Sequence, residues 1–577
     1  MSLDLPVCVA LFLLTVFGLG WPLAARLALS PPEQMLASAG LSVLGIFLFG
    51  WIVYLGGLPA DAFWLLPILA AVGLFSHLGE FGTVARDPAT RTLFALYLIV
   101  TLWCVGWLGT VSTYAGGGWS GDWFEHWERS RFFLERWPLD RTFLIIYPVP
   151  ARPPLINVVT GAFLHLTRVD FAHYQLLSTL LAGLVFLPAA VLAQAFRRRQ
   201  GAAIPRDSAG DNRLLAVLAV LFMLNPLFVQ NATFAWTKLP SAFFVLAALY
   251  FFLRAHAPQP PRSATPLCAG FLAAAFLAHF SAGPYLAALA VAWISLGWRR
   301  RRESAWWRET GLAVLVGGAV LATWFAWSLR TFGSGGTLLS NTSVTALDSS
   351  PAAQLWRVLL NLRDTLVPHF LRPLDTSLIA QRSPWGWWHD WFFQAYQLNL
   401  PLAFGSVAWF VILRECWRAG PTTTTVARRF WAGFVVIVVL LGVATHGARD
   451  TWGLVHICLQ PLVLLGLAFL AARWTDLERG WRLVLVAGAT VDFVLGIALH
   501  FAVQNFALDR WLTPGRDVRD VVTSYNAVTA GNTFALAQND LETFSVRLNA
   551  PPVLIVAVLA AALALVVLRT RATARSR

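Results

Sequence analysis

The chain has 577 residues, 58% of them hydrophobic, and its mean hydropathy of +0.64 excludes a soluble enzyme. Its formal net charge of +14 is carried by forty-two arginines and one lysine, Lys238. The five cysteines (Cys8, Cys104, Cys268, Cys416, Cys458) fall in or beside apolar runs with no CxxC, which argues against a disulfide framework and a zinc site.

Apolar runs of the length a bilayer needs, about twenty residues, occur at about fifteen places: roughly 5–27, 37–58, 61–78, 92–113, 173–196, 213–230, 234–253, 266–281, 284–298, 310–329, 398–414, 430–446, 453–472, 482–501 and 551–568. The predicted fold is therefore an all-α polytopic membrane protein with about 13–15 transmembrane helices. The first run lacks a basic n-region and more spans follow it, so it reads as a span and not as a cleaved signal peptide. Arginine clusters at 197–199, 299–302, 414–429, 473–482 and 569–577 mark the cytoplasmic side, and even numbers of spans separate them. This predicts the C-terminus inside and the N-terminus outside. The positive charge is thus mostly topological, with some affinity for anionic membrane lipid and no nucleic-acid signal.

The same topology places three long segments, 115–171, 331–397 and 502–550, on the outer face, while the cytoplasmic loops are short and basic. No cytoplasmic domain is left to handle nucleotides. The string Gly116-Gly117-Gly118-Trp119-Ser120-Gly121 matches GxGxxG, but it follows a membrane span and no βαβ unit surrounds it, so it is read as a flexible exit from the fourth span.

Next comes Gly121-Asp122-Trp123-Phe124-Glu125-His126-Trp127-Glu128-Arg129, then Arg131 to Trp137, then Tyr147-Pro148-Val149-Pro150-Ala151-Arg152-Pro153-Pro154-Leu155. Helical spacing over 123–137 sets Phe124, Trp127 and Leu134 on one face and Glu125, Glu128 and Arg129 elsewhere, the pattern of an amphipathic juxtamembrane helix in the headgroup plane. Asp122 and Glu125 have the spacing of a capping box. A carboxylate on that first turn is also well placed to act as a base. Arg152 before Pro153-Pro154 reads structurally as a snorkelling arginine at a proline-started helix.

Lys238 lies in the run Asn231-Ala232-Thr233-Phe234-Ala235-Trp236-Thr237-Lys238-Leu239-Pro240, near one end of a span. It reads either as a functional charge, since an ionisable group at that depth is expensive, or as a lysine snorkelling to the interface. In 331–397, Gly333-Ser334-Gly335-Gly336 predicts a turn, and Trp385-Gly386-Trp387-Trp388-His389-Asp390-Trp391-Phe392-Phe393 predicts an interfacial aromatic belt in preference to a lid over a lipid-facing cavity. Asp492, mid-span, is read as a helix–helix hydrogen-bonding group in preference to an ion partner.

These motifs together resemble the GT-C superfamily of integral-membrane glycosyltransferases, in particular the branch of lipid A aminoarabinose transferases and protein O-mannosyltransferases. That branch opens its first large outer loop with an acidic motif at the head of a juxtamembrane helix, followed about thirty residues on by Tyr-x-x-Lys-Pro-Pro-Leu or a relative. Asp122 matches the acidic position and Arg152-Pro153-Pro154-Leu155 the basic-Pro-Pro-Leu, with Tyr147 two residues out of register. Asn225-Pro226 followed by Thr237-Lys238-Leu239-Pro240 resembles the family's next outer turn, and Ala278-His279-Phe280-Ser281-Ala282-Gly283-Pro284 its Ser-Lys-Gly-Pro element. The resemblance covers roughly residues 92–300 and beyond them only general architecture. Three positions depart: Lys238 stands where the branch often has a second acidic residue, Arg152 replaces a lysine, and the Ser-Lys-Gly-Pro lysine has no counterpart, with Ala282 and His279 nearby.

The resemblance implies a sugar donor on a polyprenyl phosphate, a lipid, glycan or protein acceptor, and an active site on the outer, periplasmic face of a bacterial cytoplasmic membrane. It implies Asp122 as the base with Glu125 beside it. Lys238, Arg152, Tyr147, His126, His279 and Arg449 would be the substrate-binding groups. It calls for no organic cofactor and admits a divalent cation. Around this core the chain divides into extra N-terminal helices (1–91), a GT-C-like core (92–330), an outer segment (331–397), C-terminal helices (398–501), a further outer segment (502–550) and a last helix with its basic tail (551–577). Two other classes compete. An O-antigen ligase or polymerase would depend on outer-loop arginine and histidine and not on an acidic base, and a lipid-linked-substrate flippase predicts internal repeats that are not seen.

Overall fold

In lipid every backbone amide must be satisfied within its own segment, which makes each apolar run a helix. The computed structural model describes residues 4–111, 122–143, 147–198, 208–341, 350–368, 371, 384–418, 425–446, 453–504 and 541–575. Among these, ten helices are long and apolar enough to cross a membrane, from Asp4–Ala25 and Pro31–Leu55 at one end to Val455–Arg473 and Arg479–Ala502 at the other. Two bent pairs, Ala60–Ser76 with Leu78–Arg86 (81°) and Gly210–Leu224 with Pro226–Thr233 (67°), bring the number to twelve if each is one span. Leu155–Leu166, Ala264–Ala278 and Leu554–Ala564 are shorter apolar helices. The only sheet among the described residues pairs Thr142–Phe143 with Tyr147–Pro148. The chain is an all-α polytopic membrane protein.

Long spans are fewer than the about fifteen apolar runs because hydropathy counts residues and not breaks. The run 398–414 divides into Leu400–Phe404 and Ala408–Arg418 at Gly405, whose φ of 127° favours glycine. The run 213–230 bends at Asn225-Pro226, where proline supplies no amide hydrogen and the Asn225 side chain accepts from the Phe228 amide at 3.0 Å. Residues 266–281 form a helix that ends at Ala278.

The described residues of 331–397 are largely helical. The helix Ser304–Leu339 runs into this segment with a kink at Gly333 (φ 71°), in the predicted turn, and is followed by Pro351–Leu366 and Pro384–Leu398. The last helix carries the aromatic cluster. Trp388 faces outward, whereas Phe392, Phe393, Gln394 and Gln397 are buried. Asp492 joins helices, as its structural reading expects: its carboxylate accepts the Tyr396 hydroxyl at 2.9 Å and the Ser406 amide at 2.9 Å, ahead of the helix Ala408–Arg418. The string Gly116–Gly121, Arg449 and most of 502–550 lie outside the described residues.

Candidate active site

The helix Asp122–Glu135 forms where expected, but its charged side turns inward. Glu125, His126, Glu128 and Arg129 are buried; of the expected apolar face Trp127 is buried too, while Phe124 and Leu134 are only partly so. Side-chain spacing cannot foresee this burial of charge, because a buried charge is tolerable only with fixed partners, and most of these partners come from the segment ending at Arg152. The Arg129 guanidinium donates to Glu125 at 2.8 Å, to the Val149 carbonyl at 2.9 Å and to the Pro148 carbonyl at 3.1 Å, and it stacks 4.2 Å over the Phe143 ring. Glu128 meets Arg141 at 2.6 Å. Behind the helix, Gly161 lets the helix Leu155–Leu166 approach closely, since a Cβ there would stand 2.9 Å from the Ser130 carbonyl oxygen.

Glu125 is the hub. Besides Arg129 it faces Arg152 at 3.4 Å. Burial opposes its charge, but Arg152, Arg129 and His126 outweigh that and hold the carboxyl below its ordinary range. Arg152 lies 4.4 Å over the Tyr147 ring and reaches the Asn341 side chain at 3.3 Å. Burial works against its charge too, and Glu125, then Tyr147 and Asp122, raise it above the usual arginine value. His126 meets the Asn157 side-chain oxygen at 3.3 Å; burial, with Arg152 and Arg129 adding to it, draws the imidazole down to about 4 despite Glu125, so it is neutral at pH 7.

Asp122 is different. It is partly exposed, and its carboxylate accepts the Trp236 indole N–H at 3.1 Å. Burial raises its pKa above the ordinary aspartate value; Lys238 and Arg152 pull it back, and Glu125 pushes it further up. Trp236 and Lys238 arrive together on the reversal between Pro226–Thr233 and Lys238–Ala255. Ala235 there takes φ 58°, left-handed and costly for a residue with a Cβ, and its carbonyl is held by the Tyr174 hydroxyl at 3.2 Å. The Lys238 ammonium lies 3.7 Å above the Trp236 ring.

Asp122, Glu125, Arg152, Tyr147 and Lys238 therefore share one cluster, with His126 on its buried side. His279 turns to its own turn, where its Nδ1 faces the Ser281 hydroxyl at 2.8 Å and accepts the Ser281 amide at 3.1 Å. Trp236, Arg129 and Asn341 join the site without having been singled out. Only Trp236 had a sequence signal, its position two residues before the single lysine. Among the described residues no three His, Cys, Asp or Glu side chains converge as metal ligands.

No family model matches the chain, and no curated protein matches it. Among solved structures it is similar to ArnT from Cupriavidus metallidurans bound to undecaprenyl phosphate (TM-score 0.46, 16% identity, 83% of this chain and 77% of that chain). It is similar also to the same protein in the apo state (TM-score 0.43, 17% identity, 82% of this chain and 76% of that chain).

Proposed function

We propose that the chain is a GT-C-type glycosyltransferase. It moves a sugar from a polyprenyl-phosphate donor to a hydroxyl of a lipid, glycan or protein acceptor at the outer face of a bacterial cytoplasmic membrane. One observation carries the reading: a partly exposed carboxylate, Asp122, stands in the same cluster as two cations, Lys238 and Arg152. Glycosyl transfer to a hydroxyl asks for that combination, a base on the acceptor side and positive charge on the leaving-group side. Asp122 takes the acceptor's proton as its oxygen bonds to the anomeric carbon. The bond from that carbon to the phosphate oxygen breaks, and the electron pair leaves with the polyprenyl phosphate. Lys238 and Arg152 stabilise the charge that develops there. A donor that is already lipid-borne needs no nucleotide-binding domain. Glu125 enters through Arg152, whose guanidinium it orients, and Tyr147 supports the same group from below.

The test is mass spectrometry of the cell's glycolipids and glycoproteins with the gene deleted, restored, or restored as Asp122→Asn. The expected outcome is one glycan substituent lost on deletion, regained with the unaltered chain and not with Asp122→Asn. Full restoration by Asp122→Asn would overturn the reading.

A further inference from the structure

We propose that Trp236 is a positioning residue: its indole engages the Asp122 carboxylate at its N–H edge and the Lys238 ammonium on its face, and so keeps them from closing into an ion pair, which leaves each to its own part of the substrate. The inference rests on the reading of Asp122 as the base.

The two charges use different parts of one ring. The indole N–H, at the positive edge, donates to Asp122 Oδ2 at 3.1 Å, and the negative face receives the Lys238 ammonium at 3.7 Å. This is the arrangement the ring's quadrupole favours for both signs of charge. No ion pair within 4.0 Å joins Asp122 to Lys238 among the described residues. That separation needs a cause. Opposite unit charges attract far more strongly in a buried site than in water, and a lysine side chain has four flexible bonds with which to close on its partner.

The indole can resist because other groups hold it. It is buried, packed 4.3 Å from the Phe234 ring, with the Phe393 ring at 6.4 Å and the His456 ring at 5.8 Å. The left-handed Ala235 and the Tyr174 hydroxyl set the backbone that delivers it. If the pair closed, Asp122 would become a weak base and Lys238 would be lost to the leaving phosphate. The other charges that bear on Asp122 are Glu125, which opposes its ionised form, and Arg152, which favours it; these two face each other at 3.4 Å.

The test compares pH–rate profiles of the full-length enzyme in nanodiscs. An extract of the host's own membranes supplies donor and acceptor, and polyprenyl phosphate released is measured. Trp236→Phe keeps the ring face for Lys238 but removes the N–H from Asp122, so the acid limb of kcat moves up by about one pH unit with little change in donor KM. Trp236→Leu removes the face as well. The ammonium then closes on Asp122, the acid limb moves down, and donor KM rises roughly tenfold. Adding Lys238→Met to Trp236→Leu returns the limb upward. A loss of packing alone lowers activity without shifting the limb in opposite directions. An acid limb identical in the unaltered enzyme and Trp236→Phe overturns the proposal, even if Trp236→Leu fails to fold. If Asp122→Asn is as active as the unaltered enzyme, the base reading falls and this inference with it. If Asp122→Asn is inactive and the limb stays put, only the role of Trp236 falls.

Discussion

Arg152 stands 3.4 Å from Glu125, across a turn of chain that also brings Tyr147 under the guanidinium at 4.4 Å. Glu125 thereby balances two arginines, the buried Arg129 and the partly buried Arg152. Removing one partner of a buried ion pair leaves an uncompensated charge, which costs about 3–5 kcal/mol. Glu125→Gln is expected to lower stability by about that much in detergent or nanodisc unfolding, with activity falling too. The carboxyl's pKa is depressed in the folded state, so its contribution is present above its unfolded value of about 4.3 and lost as pH falls through the lower folded value. The loss should therefore be constant from about pH 5 to pH 8. A Glu125→Gln protein as stable as the unaltered one would show that the hub is not structural.

Asp122→Asn is expected to leave the protein inserted and folded while lowering transfer by about 10²–10⁴, the range for losing general-base help. Asn caps a helix as well as Asp does, so a capping role alone predicts near-normal activity. The raised Asp122 pKa adds a pH signature. The unaltered enzyme gains rate with rising pH as the base deprotonates, with a midpoint above the ordinary value of about 3.9, and that limb should be absent from the residual rate of Asp122→Asn.

Lys238→Met is expected to impair donor use, and Lys238→Arg to recover only part of it, with expression unchanged in both. A snorkelling lysine accepts arginine, whereas one fitted to a phosphate between a ring face and a carboxylate does not, because the fork differs in shape and hydration. In the Asp122→Asn background, Lys238→Met should weaken binding of the proposed polyprenyl-phosphate donor roughly 10–100-fold, the size of a lost charge-assisted hydrogen bond. Unchanged affinity would remove the phosphate role.

Segments 115–171, 331–397 and 502–550 should react with impermeant reagents from the periplasmic side, and the tail after Arg569 should not, as the arginine asymmetry requires. Reporter fusions after residue 140 that work only in the cytoplasm would reverse the orientation and remove the argument for a lipid-borne donor.

Asp492→Leu should destabilise the protein by about 1–3 kcal/mol, because the Ser406 amide and the Tyr396 hydroxyl lose their buried acceptor. Donor affinity should be unaffected. A selective change in donor affinity with stability intact would favour the ion-partner reading of this residue.

Hydropathy alone determined the class of this protein. A bilayer leaves the backbone no other way to satisfy its amides, so the apolar runs of the sequence become spans wherever proline and glycine permit. The breaks at Asn225-Pro226 and Gly405, and the shortness of Ala264–Ala278, then lower the number of long spans below the number of runs. The residues of the candidate site were legible one by one: Asp122 and Glu125 at the head of a helix, Arg152 before two prolines, and Lys238 as the one lysine. Their relations were not. The burial of the charged side of Asp122–Glu135 depends on carbonyls of Pro148 and Val149 and on Arg152, groups that periodicity on the helix itself does not contain. The meeting of Asp122 with Trp236 and Lys238 depends on a left-handed alanine, a conformation no residue type announces. Spacing along the chain encodes which side chains share a helix face. Whether a buried charge is stable, and as what, is set by partners from distant segments, and only the tertiary structure supplies those.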